Sequence, residues 1–129
     1  MNEVDRARSH GVSGEDYDRS KAFYEQALGP LGLSLIREPI GEAAGFGQSG
    51  RASFWIEAQG RPVRGRLHVA FGAGSREIVD AFYSAALAAG GADNGAPGVR
   101  KVYHPNYYGA YVLDPDGNNI EAVCHEAGD

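Results

Sequence analysis

Ala22-Phe23-Tyr24-Glu25-Gln26-Ala27-Leu28-Gly29-Pro30-Leu31-Gly32 returns as Ala81-Phe82-Tyr83-Ser84-Ala85-Ala86-Leu87-Ala88-Ala89-Gly90-Gly91, with six of the eleven positions identical at an offset of 59 residues. In a chain of 129 residues that offset is close to half the length. The repeat therefore reads as two copies of one supersecondary unit, each carrying one helix. Apolar residues keep helical spacing in both: Ala22, Phe23, Ala27 and Leu28 in the first, and Ile78, Val79, Phe82, Ala86 and Leu87 in the second. The first helix is expected from Tyr17 to Leu28, with Asp16 as N-cap and Gly29-Pro30 as its stop. The second is expected from a Ser75 cap to Ala89, stopped by Gly90-Gly91. Two similar units packed together tend to leave a cleft, where ligands usually bind.

Outward from each helix the order is the same: a strand, the helix, then three strands. In the first copy the strands are read at 9–13, Leu33–Ile36, Ala43–Gln48 and Ala52–Glu57. In the second they are Arg66–Phe71, Arg100–Tyr103, Tyr108–Leu113 and Asn119–Cys124, with a turn signal at Asp114-Pro115-Asp116-Gly117-Asn118. Residues 1–8 are polar and read as loosely ordered. The stretch 58–65 holds Gly60, Pro62 and Gly65 and reads as the linker, and the Gly-, Asn- and Pro-rich stretch 90–98 as a loop. The fold class is α+β. One domain over 1–129 is expected, with module one at about 9–58 and module two at about 66–125.

A net charge of −5, without any Lys/Arg-rich run, argues against a nucleic-acid surface. No stretch of about 18 or more apolar residues suggests a membrane span, and no basic-then-apolar leader is seen, so a cytoplasmic protein is expected. The single cysteine, Cys124, excludes an internal disulfide and reads as buried packing.

Two residues stand out chemically. His68 lies mid-strand on the face opposite Leu67, Val69 and Phe71. Glu121 lies mid-strand between Ile120 and Ala122. A carboxylate inside an apolar strand is costly unless it is paired, ligating or facing a wet cavity. With His10 on the first strand, two imidazoles and one carboxylate would make a three-point divalent-metal site with open positions for substrate. The alternative is three separate polar residues on a solvated sheet face. Val102-Tyr103-His104-Pro105-Asn106-Tyr107-Tyr108 adds three tyrosines and a histidine beside a strand. Such residues suit holding a small organic molecule, with His104 as a general acid or base, or else they pack over the sheet edge.

Asp16-Tyr17-Asp18-Arg19-Ser20-Lys21-Ala22-Phe23-Tyr24, Leu67-His68-Val69-Ala70-Phe71 and Leu113-Asp114-Pro115-Asp116-Gly117-Asn118-Asn119-Ile120-Glu121 together resemble the vicinal oxygen chelate superfamily. That superfamily holds glyoxalase I, extradiol dioxygenases and bleomycin-resistance proteins. The resemblance implies two βαβββ modules curled into a half-barrel sheet with a cavity, and a homodimer. It implies metal ligands at His68 and Glu121, with His10 as the third. The 59-residue offset from His68 lands on Ser9, so His10 is one residue out of register unless a bulge restores it. The fourth family position falls near Trp55 or Glu57; Trp55 cannot ligate and reads instead as substrate-binding, alongside Tyr103, Tyr107 and Tyr108.

The resemblance implies a divalent-metal-dependent enzyme, a lyase, isomerase or dioxygenase, acting on a small oxygenated molecule. Zinc, nickel, manganese or iron(II) would polarise vicinal oxygens, with Glu121, His104 or Glu57 placed to move a proton. The other reading is a metal-free protein of the bleomycin-resistance kind that sequesters a small molecule.

Overall fold

Two βαβββ units are present and are built alike. The computed structural model describes residues 2–3, 10–13, 17–39, 43–57 and 68–128. After a short strand β1 (Asn2–Glu3), the first unit runs β2 (His10–Ser13), α1 (Tyr17–Ala27), β3 (Ser34–Arg37), β4 (Ala43–Gln48) and β5 (Arg51–Glu57). The second runs β6 (His68–Gly72), α2 (Arg76–Ala88), β7 (Ala92–Val99), β8 (Tyr108–Leu113) and β9 (Asn119–Cys124). The sheets are ordered β2-β5-β4-β3 and β1-β6-β9-β8-β7. In each unit the first strand pairs parallel with the last, and the other pairings are antiparallel. Neither sheet closes on itself.

The helices stop and start for local reasons. After α1, Pro30 sits in a 3₁₀ turn (Gly29–Leu31), and Gly32 takes the left-handed φ of 81° that ends it. At the start of α2 the Ser75 hydroxyl accepts from the Ile78 N–H at 3.2 Å. Asp16 and the 58–65 linker lie outside the described residues.

One core joins the units. Phe23 and Tyr24 of α1, with Leu28 just past its end, pack with Phe46, Phe54 and Ile56 of the first sheet, and with Val69, Phe71, Val112 and Ile120 of the second. The Phe54 and Phe71 rings meet edge-on at 5.3 Å across the two sheets. Each such buried side chain contributes about 1.5–3 kcal/mol of transfer free energy. The turn at 114–118 also docks on α1. Tyr24 donates its hydroxyl to Asp114 Oδ2 at 2.5 Å, Ser20 Oγ donates to Asp116 Oδ2 at 3.0 Å, and Arg19 donates to the Pro115 carbonyl at 3.1 Å.

Two expectations need correction. The stretch 90–98 is not a loop: Ala92–Val99 is the edge strand β7, and residues 100–103 turn instead of forming the strand. An edge strand tolerates Gly and Pro because one side needs no partner, and β7 shifts register between Asp93 and Gly95 and again before Gly98. Within 1–8, a stretch whose sequence reads as loosely ordered, Asn2 and Glu3 pair parallel with Val69 and Ala70. Among the described residues no helix is long and apolar enough to cross a membrane.

Candidate functional site

Strand β9 is almost wholly buried, yet one of its residues is an acid. Ile120, Ala122 and Cys124 point into the core. Glu121 therefore projects from the opposite face, and it is 0% exposed. On the neighbouring β6, Val69 and Phe71 take the core side, leaving His68 and Ala70 on the face of Glu121. There His68 Nε2 lies 3.0 Å from Glu121 Oε1. The other carboxylate oxygen, Oε2, accepts from the Tyr107 hydroxyl. Gly109 makes room for this: a Cβ there would stand 3.2 Å from both Glu121 Oε2 and the Tyr107 ring.

Tyr111 completes the face. It is the β8 residue directly across from Glu121, and its ring centroid is 6.1 Å from that of His68. Burial, and then the Glu121 charge, push its phenol up to about 12. Burial also raises the Tyr107 phenol, helped by its hydrogen bond to Glu121. Both tyrosines thus stay protonated donors across the physiological range.

Beside these lies an aromatic group from the 100–107 turn. Tyr103 packs on Tyr107 at 4.6 Å and is 58% exposed. His104 meets Tyr107 edge-on at 5.4 Å. The Asn106 N–H donates to His104 Nδ1, so the neutral ring carries its proton on Nε2 and donates it to His125 Nδ1 at 3.0 Å. His104 is thus engaged by His125, not by Glu121. Tyr108 is not brought to this face. Strand alternation sends it toward α2, where it donates to Asp80 at 2.6 Å and lies under the Arg76 guanidinium.

The first unit differs at the matching place. Gly11 pairs with Trp55 as Ala70 pairs with Glu121, so Trp55 occupies the position that Glu121 has in the second unit. By the same register His68 matches position 9, outside the described residues, and His10 stands across from Phe54. The Trp55 indole lies over Gly45, where a Cβ would come within 2.8–2.9 Å of its six-membered ring. Glu57, two residues on, pairs with Ser13 and Ala43. The side chains of His10 and Glu57 lie outside the described residues.

The nitrogen and oxygen of His68 and Glu121 suit a divalent ion: two donors each about 2.1 Å from one cation, at right angles, stand about 3 Å apart. Among the described residues no group of three or more His, Cys, Asp and Glu side chains is arranged to hold a metal ion. What sequence reasoning missed is His125 as the partner of His104. Its only signal is that Tyr108 pairs with Cys124, which brings the segments before and after them side by side.

A family model described as Glyoxalase/Bleomycin resistance protein/Dioxygenase superfamily matches residues 4–122. A glyoxalase/bleomycin resistance protein from Albidiferax ferrireducens is 30% identical, with a TM-score of 0.75, over 92% of this chain and 98% of that one. A family enzyme from Burkholderia phytofirmans shares 22% identity at a TM-score of 0.67, over 95% and 100% of the two chains. Lactoylglutathione lyase from Agrobacterium tumefaciens shares 19% at 0.65, over 91% of each. Among curated proteins none matches the chain.

Proposed function

The chain belongs to the glyoxalase/bleomycin resistance protein/dioxygenase superfamily, and we propose that the Glu121 face is a small-molecule site of a divalent-metal-dependent enzyme in which His68 and Glu121 hold the metal. The observation that carries this is the buried carboxylate of Glu121, set 3.0 Å from an imidazole nitrogen on the face turned away from the core. A divalent ion held there would supply Lewis acidity to substrate oxygens. Tyr107 fixes the carboxylate by donating to Oε2, as outer hydrogen bonds commonly do for metal ligands. Tyr111 and Tyr103 offer aromatic walls with polar tips. The reaction class is a lyase, isomerase or dioxygenase step, with His104 or Glu57 as the proton carrier and a homodimer as the working assembly. A cytoplasmic location goes with this reading.

The test is metal analysis of protein purified without chelator, followed by zinc, nickel, manganese and iron(II) titration. Stoichiometric metal that is lost in His68→Ala and in Glu121→Gln supports the reading. No metal in wild type, and none taken up, sinks it. His10→Ala that loads metal as well as wild type would remove His10 from the ligand set.

One observation favours a second reading, a metal-free sequestering protein. Trp55, half-buried and flat over Gly45, stands where a further ligand would be and instead offers a stacking surface. Tight ligand binding by chelator-treated protein, without turnover, would select it.

A further inference from the structure

Arg100 bears on the same face, and neither the family motifs nor the metal reading uses it. It follows β7, and its guanidinium folds back over that strand. Nη2 donates to the Ala96 carbonyl at 2.6 Å. Two glycines of β7 leave the space it fills. A Cβ at Gly98 would stand 3.0 Å from Nη1, and one at Gly95 would stand 3.4 Å from Nη2 and 2.8 Å from the Tyr111 ring. The guanidinium carbon lies 5.4 Å from the centre of the Tyr111 ring. That ring neighbours His68 and stands across from Glu121. Its backbone is fixed too: the Arg100 N–H donates to the Tyr107 carbonyl at 2.7 Å. Among the described residues no carboxylate comes within ion-pair distance of Arg100.

A guanidinium always carries its charge and offers five donors in a rigid fork. Here one donor is spent on Ala96, and the cation–π contact with the Tyr111 ring helps hold the guanidinium in place. We propose that Arg100 is the specificity residue of the site and that the substrate carries an oxyanion, a carboxylate or a phosphate, that pairs with it. The substrate's other oxygens then reach His68 and Glu121 past the Tyr111 ring. This rests on the reading of that face as a small-molecule site, but not on the metal being present.

The experiment uses chelator-treated protein. Inorganic phosphate and succinate are titrated separately, and binding is followed by the amide NMR shifts of Gly98 and Tyr111. Wild type should saturate with at least one of the two. Arg100→Met should weaken that binding at least tenfold, and Arg100→Lys less. Lys101→Met, a neighbouring exposed cation, should leave it unchanged. Saturation by phosphate alone points to a phosphate ester, and by succinate alone to a carboxylate; either supports the assignment. No saturable shift in wild type, or equal affinity in Arg100→Met, overturns it. Metal uptake is measured on separate portions of the same wild-type preparation that were not treated with chelator, so metal uptake without saturable anion binding sinks only this inference, and saturable anion binding without metal uptake sinks only the metal reading.

Discussion

Tyr107→Phe isolates the hydroxyl that donates to Glu121. The ring, with its contacts to Tyr103, His104 and His125, stays. Apolar burial is therefore nearly constant, and the change removes the hydrogen bond to an acceptor that is 0% exposed, together with the hydroxyl's contact with Tyr111. A bond to a charged group is worth about 1.5–3 kcal/mol. For a chain of this size that lowers the midpoint of thermal unfolding by roughly 5–11 °C. The assay is thermal and denaturant unfolding of metal-free protein, in wild-type and Glu121→Gln backgrounds. Against a neutral amide the same hydroxyl is worth only about 0.5–1.5 kcal/mol. The double-mutant cycle should then show coupling of about 1 kcal/mol or more. In the metal-loaded protein, Tyr107→Phe should weaken metal affinity by about 10–100-fold, since the hydroxyl orients a ligand. A cost below about 0.5 kcal/mol, or the same cost in both backgrounds, would refute the idea that Tyr107 holds a buried carboxylate.

Gly45→Val would push a side chain into the Trp55 indole, with expected destabilisation of roughly 1–3 kcal/mol. Because Trp55 is the chain's one tryptophan, a red shift in its emission should accompany the loss, and an unchanged spectrum would count against the packing. Tyr111 offers a pH test. Its phenol rises to about 12 from 10.0, so the folded chain keeps a proton that the unfolded chain releases. Its contribution to stability is full below pH 10 and is lost as pH climbs toward 12. Tyr111→Phe should flatten that stretch of the stability curve, measured by urea unfolding across the alkaline range. Tyr24→Phe deletes the bond from α1 to Asp114, with an expected cost of about 1.5–3 kcal/mol at unchanged denaturant m-value. A loss under about 0.5 kcal/mol would show that the 114–118 turn docks on α1 without that bond.

The repeat made both helices and most strands legible, because helical and alternating apolar patterns are local signals. Glu121 was legible for the same reason: a carboxylate breaks an otherwise apolar strand. The β7 strand was not. Its Gly and Pro residues read as a loop, and only the edge position, open on one side, lets them pair. Tyr107 and Tyr108 sit side by side in the sequence but flank the start of β8, where the alternation of the strand sends neighbouring side chains to opposite faces. Period two alone was enough to separate them. Arg100 and the His104–His125 pair carry no such signal. Their partners are set by how a turn folds back over a strand, which sequence spacing does not report.

The two units resemble each other in backbone but not in chemistry, and the register shows how. In the second unit the ring is on the middle strand, at Tyr111, and the acid is across from it on the last strand, at Glu121. In the first the ring is on the last strand, at Trp55, and its cross-strand neighbour is Gly45. Each pair fills its place on the sheet with one large aromatic, so packing is conserved while the donor moves. A Trp55→Glu replacement would not recreate the site. It would set a carboxylate over Gly45 and leave open the space the indole now fills. Glu121 is tolerated because Tyr107 and His68 reach it, and Tyr107 comes from the turn before β8. The site therefore depends on that turn as much as on the strands, and duplicating the strands alone does not duplicate it.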